Sequence, residues 1–516
     1  MERLKEAARG AKRLLSSEKL QWFLVGLAVV LRLIAYLHNR SLWRDEALLA
    51  SNIESRSYAG LFQPLDNQQA APTGFLVLER IVVQILGSSE YSLRLIPLLA
   101  GIASVFLVRS LANRSLARVA IPVVLGLFAI SERAIYYSSE VKQYSTDVAI
   151  CLALLLAAIE MRETTIQWWS AALFGLAGAM AVWLSHPSAF VLAGIGTALF
   201  LECCWRREWS NAGFIVAAAA LWAISFTASY LAVLRDTSHS TFLLTFWDDY
   251  GGFRPAAASA ASQAWWFIKV FVRAFENPAG FNWGVAAAFA FLLGCASALY
   301  YGRSTLLMLA APIPFVMLAA VLRKYPFLDR LLLFLVPSLL LLIAEGIHLA
   351  ARKTAVIGFA LSAVLFVHPI INASVNVTGG HDREDIKPAL AYVRSNWQDG
   401  DILYVHYAVK RLFKYYAART GFAEGDYFKG AKKPDEPADL GQDVDQLRGK
   451  GRVWVLFLVR NDRTEQERQS ILDQLAILGE RIDAFEKTGI SVFLYDLTAT
   501  KPAVLGLRGL ESPHPI

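Results

Sequence analysis

Four short stretches of this sequence gather the side chains of acid–base and anion chemistry. The first, "SLWRDEALLA", sets Asp45 beside Glu46 just after a long apolar run. The second, "YYSSEVKQYSTD", carries Glu140, Lys142, Tyr144 and Asp147. "SHPS" supplies His186, and "RKYPFLDR" supplies Lys324, Tyr325 and Arg330. A carboxylate can take a proton, and a Lys or Arg can hold an anion. Each stretch also has a plainer reading. Asp45 can cap the helix "EALLASNI", with Glu46 favouring its N-terminal dipole. Glu140 and Lys142 can form a solvated pair, or Lys142 can be a snorkelling anchor. His186 before Pro187 can be a turn residue, and Arg330 an interfacial anchor. Whether these are parts of one site depends on whether the four stretches share a face, and so on the elements that carry them.

Those elements are membrane helices. The chain has 516 residues, 56% hydrophobic and 18% charged, with a mean hydropathy of +0.42. Its apolar residues come in blocks of about 20, the length a helix needs to cross ~30 Å of hydrocarbon. A soluble domain of this size carries more charge and fewer unbroken apolar runs. The formal charge of +7 is spread along the chain, which fits a loop-charge asymmetry and not a nucleic-acid surface. The four cysteines, Cys151, Cys203, Cys204 and Cys295, all lie inside apolar runs, so no disulfide framework or CxxC metal pair is expected. The N-terminal stretch is too long and too charged for a signal-peptide n-region, so the first apolar run is read as a retained helix.

The pattern predicts about eleven spans, near 20–37, 92–110, 118–132, 145–160, 166–184, 188–204, 212–233, 282–300, 305–322, 331–350 and 354–372. The stretch 72–86 is short and carries Glu79 and Arg80 at its middle. Intramembrane charges cost about 2.5–3.5 kcal/mol each, so 72–86 is expected to lie along the surface as an amphipathic helix starting at Pro72. The basic tail (Arg3, Lys5, Arg9, Lys12, Arg13, Lys19) is then cytoplasmic, and so are the turns with Arg109, Arg114 and Arg118, with Arg162, with Arg206 and Arg207, with Arg303, and with Arg352 and Lys353. All four polar stretches fall on the opposite, external face. Glu202 and Glu345 lie near inner helix ends, where they are read as snorkelling, and Arg32 lies near the outer end of the first span, where it can face the site or a headgroup. The expected organisation is a cytoplasmic tail over 1–19, a transmembrane domain over 20–372 with an external loop at 38–91, and an extracytoplasmic α/β domain over 373–516. In that last domain "DILYVHY", "VWVLFLV" and "SVFLYDL" read as strands, and the loop "GAKKPDEPADLGQD" as mobile.

"LWRDEA" after the first helix, "YYSSEVKQYS" after the third and "YPFLDRLLLFLVP" entering a late helix resemble the GT-C glycosyltransferases. Within them the chain is similar to bacterial members of the protein-O-mannosyltransferase-like family 39 and to the lipid A aminoarabinose-transferase group. The resemblance covers about residues 20–350 and, more loosely, the external domain. It implies sugar transfer from a polyprenyl-phosphate donor on the external face of the bacterial inner membrane, with a glycan, lipid or protein as acceptor. The catalytic carboxylate of the first loop maps onto Asp45, with Glu46 beside it, and the second acidic position maps onto Glu140. One departure is that Ala71–Pro72–Thr73 stands where the aminoarabinose-transferase group has Lys-Pro-Pro, which removes the argument for that substrate pair.

The implied chemistry suits the residues. The donor carries its own phosphate leaving group, so a carboxylate need only take the acceptor hydroxyl's proton as that oxygen attacks the anomeric carbon. Lys142, Lys324 and Arg330 are the candidates to hold the phosphate, and Tyr144, His186 and Tyr325 to bind substrate. One displacement inverts the anomeric centre. No cofactor is required; should Asp45 and Glu140 converge, their oxygens suit Mg²⁺ or Mn²⁺. No P-loop, dinucleotide fingerprint, HExxH or nucleophile elbow is present. The rival readings are a transporter or flippase of lipid-linked sugars, which calls for charges near the bilayer midplane, and a membrane scaffold whose external domain binds a partner.

Overall fold

The computed structural model describes residues 10, 13–164, 166–256, 258–377, 384–430 and 440–498. By their internal packing these form two units, one of Met1–Asn39 with Leu49–His381 and one of Arg40–Leu48 with Asp382–Ile516.

The first unit is helical. Among the described residues eight helices are long and apolar enough to cross a membrane: Glu18–Leu37, Leu95–Ser115, Tyr144–Glu163, Ser188–Trp205, Trp209–Leu234, Ser304–Val321, Asp329–Lys353 and Ala355–Ser374. Two further apolar helices, Trp168–Leu184 and Gly284–Tyr300, are slightly shorter. Leu173, Met180, Ile224 and Phe359 stand exposed on the outer faces, as side chains meant for lipid do. The chain is a polytopic α-helical membrane protein.

Two expectations change in detail. The stretch 118–132 is not one continuous span. Helix Ile121–Ala129 has nine residues, about 14 Å of rise, and an extended Ser131 separates it from Glu132–Tyr137. The surface stretch forms helix Thr73–Leu86, with its charges turned the other way from a water-facing amphipathic helix. Glu79 is fully buried, Arg80 donates to the Ile53 carbonyl at 2.8 Å, and the exposed residues are Ile81, Gln84, Ile85 and Leu86. Burial drives the Glu79 carboxyl well above the usual carboxylate range by disfavouring its charged form.

Glycines set the closest helix packing. Val336–Lys353 is almost wholly buried, and Gly284–Tyr300 lies directly against it. A Cβ on Gly294 would collide with the Leu342 carbonyl oxygen, and one on Gly346 with the Ala290 carbonyl oxygen. Each glycine admits the other helix's backbone, the small-residue contact that holds helices together where lipid offers no hydrophobic drive.

The second unit contains a five-stranded sheet in the order β2-β1-β3-β5-β4. The strands are β1 (Ile402–Val405), β2 (Tyr427–Lys429), β3 (Arg452–Leu458), β4 (Glu480–Lys487) and β5 (Ile490–Asp496). β2 and β3 both pair parallel with β1, while β5 pairs antiparallel with β3 and with β4. Val453, Val455 and Phe457 of β3 and Phe493 and Tyr495 of β5 pack on Ile471 and Leu475 of helix Asp462–Leu478. That helix opens on a capping box between Asn461 and Thr464. β1, β3 and β5 are the three apolar runs that read as strands. β2 and β4 have no such run: β2 is three residues long, and "ERIDAFEK" of β4 is mostly exposed at the sheet edge. Most of the "GAKKPDEPADLGQD" loop lies outside the described residues.

The helix contact is testable. Gly294→Ala and Gly346→Ala each force two backbones apart and are expected to cost on the order of 1–3 kcal/mol, as overpacking does. Scanning fluorimetry of the detergent-purified protein should show both melting below wild type, whereas Gly213→Ala, in a helix interior where a Cβ meets open space, should melt no lower than wild type. Unchanged melting of both would refute the backbone contact.

Candidate functional site

Three of the four polar stretches meet within the helical unit. The turn after Tyr137 rests on helix Leu95–Ser115 because Gly101 leaves room for the Ser138 side chain. That places Glu140 and Lys142 in the interior, fully buried and 4% exposed. Lys142 Nζ donates to Gln69 Oε1 at 2.8 Å. Gln69 follows two consecutive left-handed residues, Asn67 (φ 57°) and Gln68 (φ 56°). Left-handed backbone costs about 1–3 kcal/mol outside glycine and collects at functional sites. Gln69 was not singled out from the sequence, because an amide in a loop carries no periodic or motif signal.

Helix Tyr144–Glu163 starts directly after this turn. The Arg330 guanidinium lies over the Tyr144 ring, 5.7 Å from its centroid, and Tyr137 packs edge-on against the same ring at 4.9 Å. Arg330 is carried by a seven-residue 3-10 stretch, Asp329–Leu335, an unusual length for that geometry. The stretch begins at Asp329 with φ 46°, which accepts from Asn277 Nδ2 at 3.2 Å. Strain at one residue and a hydrogen bond to it thus fix the direction of the next.

Tyr325 completes the cluster, and the turn that carries His186 lies beside it. Tyr325 donates to the Leu331 carbonyl at 2.9 Å and packs against Phe190, two residues past Ser188 of the "SHPS" turn, with ring centroids 5.0 Å apart. Burial, and then the nearby Asp147 carboxylate, push the Tyr325 phenol well above its ordinary range, so it stays protonated and can donate. The Asp147 carboxylate also approaches the Ser185 hydroxyl, and both side chains are buried. Burial holds the His186 imidazole down at about 4, leaving it neutral at physiological pH. Lys324 is exposed, while its neighbour Arg323 pairs with Asp248 at 3.1 Å. Among the described residues, no group of three or more His, Cys, Asp or Glu could hold a metal ion.

The far end of helix Tyr144–Glu163 gathers the basic turns. Arg114, Arg162, Arg303, Ser304 and Thr305 line one pocket of about 350 Å³. Arg162 pairs with Glu202 at 2.7 Å and donates to Thr305 at 2.7 Å. Glu345 is not a snorkelling group: it is buried and pairs with Arg303 at 2.8 Å. Arg32 likewise faces neither headgroup nor water, being buried over the Phe128 ring at 4.8 Å.

The first polar stretch belongs, up to Leu48, to the second unit. Helix Arg44–Ser55 begins with Arg44, which puts Asp45 and Glu46 in its first turn. The helix therefore starts two residues earlier than a cap at Asp45 requires. Glu46 is fully buried and accepts from the Trp43 amide at 3.3 Å, closing the helix start on itself. Asp45 is half-buried.

No family model matches the chain, and no curated protein matches it. Solved structures do. ArnT from Cupriavidus metallidurans in the apo state matches with a TM-score of 0.54 and 11% identity, over 93% of this chain and 98% of its own. The same protein bound to undecaprenyl phosphate matches with a TM-score of 0.55 and 10% identity, over 92% and 97%. The archaeal oligosaccharyltransferase AglB from Archaeoglobus fulgidus, in complex with an inhibitory peptide and a dolichol-phosphate, aligns with a TM-score of 0.48 and 12% identity over 95% and 75%. The fold of this chain is that of the GT-C membrane enzymes.

The neutral imidazole gives a pH prediction. The ordinary His value is 6.5 and the folded value about 4. Between these the unfolded chain binds a proton that the folded chain refuses, so stability falls as pH drops through that window and is full above it. His186→Gln removes this contribution. Between pH 7 and pH 5 the melting temperature of wild type should fall more steeply than that of His186→Gln; equal slopes would exclude a neutral His186.

Proposed function

We propose that this protein transfers a sugar from a polyprenyl-phosphate donor to an acceptor hydroxyl on the extracytoplasmic face of the bacterial inner membrane. The observation that carries the reading is the convergence of Lys142 and Arg330 on the start of the 20-residue helix Tyr144–Glu163. A helix N-terminus carries a partial positive charge, and two cations beside it suit a phosphate ester. The fold shared with a protein solved bound to undecaprenyl phosphate supports the same donor class. The buried charges of the helical unit also favour an enzyme over a flippase. Asp147 lies in the first turn of its helix, and Glu345 pairs with the turn residue Arg303.

In this reading the acceptor oxygen attacks the anomeric carbon while the bond from that carbon to the phosphate oxygen breaks. Polyprenyl phosphate departs with the electron pair, and the anomeric centre inverts. Asp45 takes the acceptor's proton. Lys142 and Arg330 stabilise the negative charge left on the phosphate. Tyr144, Tyr325 and neutral His186 offer rings and donors to the sugar, and Glu140 orients the turn that carries Lys142, whose amide donates to the Glu140 carbonyl at 2.7 Å. Glu46 has its capping role in the helix start, so Asp45 is the residue of the pair assigned to the proton.

Three outcomes are expected. With a panel of radiolabelled undecaprenyl-phosphate hexoses and pentoses in proteoliposomes, Asp45→Asn should retain less than about a tenth of wild-type turnover, one tenfold step being ~1.4 kcal/mol. Binding of undecaprenyl phosphate should weaken on the order of 10- to 100-fold in Arg330→Ala, since charge-assisted hydrogen bonds are worth about 1.5–3 kcal/mol. Arg330→Lys should recover only part of it, lacking the bidentate fork; full recovery would point to a membrane anchor. In a cysteine-free background, a cysteine at exposed Glu480 should react with an impermeant thiol reagent on spheroplasts, and one at Arg206 should not. The reverse pattern would overturn the external face.

A further inference from the structure

The short segment Arg40–Leu48 lies in the primary sequence next to the first membrane helix, yet it packs as part of the α/β unit. That unit holds it residue by residue. The Ser41 amide and hydroxyl both donate to Asp385 Oδ1, the amide at 3.4 Å, and the hydroxyl oxygen accepts from the Lys387 amide at 3.0 Å. The Leu42 amide donates to the Tyr416 hydroxyl oxygen at 2.7 Å. The Arg44 amide donates to Glu384 Oε2 at 2.8 Å, and the other oxygen of Glu384 pairs with Arg460 at 2.6 Å. Ser41, Leu42 and Glu384 are buried. Hydrogen bonds shielded from water in this way are costly to leave unmade.

The place of this contact within the sheet has its own logic. β2 and β3 flank β1 on opposite sides, so the chain reverses direction across the sheet at the C-terminal end of β1. Open α/β sheets bind ligands at such a switch point. Arg460 lies two residues beyond β3, and Arg411 sits in the first turn of helix Lys410–Tyr416, just beyond β1. Both guanidinium groups lie close enough to Arg44 to press its charge, which Glu384 and Asp45 counter. The position where a ligand would bind is therefore taken by the chain's own residues 40–48.

We propose that the α/β domain is a positioning device for Asp45. Tyr416 and Glu384, with Arg460 behind Glu384, fix the backbone of residues 42–44. The first amides of a helix have no acceptor within the helix, and here Glu384 supplies one for Arg44. The start of the helix, and with it the direction of Asp45 at its second position, is set by side chains more than 300 residues away in sequence. A displacement of about 1 Å in a reacting group can cost on the order of 100-fold in rate. The positioning role rests on the reading of Asp45 as the base.

The test uses the full-length protein in proteoliposomes with the radiolabelled undecaprenyl-phosphate sugar that gives the highest turnover. Tyr416→Phe keeps the ring and removes the acceptor, Glu384→Ala removes the carboxylate, and Glu384→Gln keeps one acceptor. Hydrogen exchange in the peptide covering residues 41–46 should speed at least about tenfold in Tyr416→Phe and Glu384→Ala, with the peptides of helix Val336–Lys353 unchanged. The kcat should fall at least about tenfold while donor KM stays within about twofold, and Glu384→Gln should lie between Glu384→Ala and wild type. Should Tyr416→Phe exchange faster at wild-type kcat, the tie is merely structural and the proposal is wrong. Should Asp45→Asn keep its turnover, the base assignment has failed and the positioning role falls with it. Loss of turnover in Asp45→Asn alone refutes the positioning role and leaves the base intact.

Discussion

A charge in the middle of a membrane helix costs about 2.5–3.5 kcal/mol on insertion scales, and the helical unit is arranged around that cost. Helix Tyr144–Glu163 shows it within one element. Its first turn carries Asp147 amid the Tyr144, Ser185 and Tyr325 side chains, its last turns carry Glu160, Arg162 and Glu163, and the middle is apolar. Polar chemistry is thereby pushed to two levels about 30 Å apart, the rise of 20 helical residues. At one level Arg114, Arg162 and Arg303 share a pocket and are held by Glu160, Glu202 and Glu345. At the other, Lys142 meets an amide and Arg330 meets a ring face.

Holding these levels in place falls to backbone contacts more than to side-chain volume. Gly294 and Gly346 let two helices touch, and Gly101 lets the Ser138 turn lie on its neighbour. Where such contacts are rigid, strain can be kept in the loops between them. Asn67, Gln68 and Asp329 all adopt left-handed backbone, the first two leading directly into Gln69 and the third into Arg330. The strained residues steer their neighbours, and the packed helices keep them from relaxing.

The α/β unit solves a different problem. Its sheet is ordinary in its centre, with β3 buried along nearly its whole length. Its distinctive feature is the occupant of its switch point. Residues 41–44 are bound there through their backbone amides and the Ser41 hydroxyl, so the recognition would survive many changes of side chain in the segment itself. A first loop that carries an acidic residue gains a fixed geometry without needing a rigid loop of its own.

Much of this was legible in the sequence because it is local. Apolar blocks of span length announce the membrane class, and the apolar runs of β1, β3 and β5 announce a sheet. The three stretches holding Lys142, His186 and Arg330 could be grouped by counting turns, since each span reverses the chain once. What the sequence withheld are features that exist only through distant partners. β4 is a polar stretch until β5 lies beside it, and the break at Ser131 has no proline or glycine to mark it. Nothing in Gln69 tells that Lys142 will donate to it, and nothing in "SLWRDEALLA" tells that Tyr416 and Glu384 will hold it. Periodicity and charge record what a residue needs from solvent or lipid. Which other residue supplies a hydrogen bond hundreds of positions away is decided when the chain closes on itself.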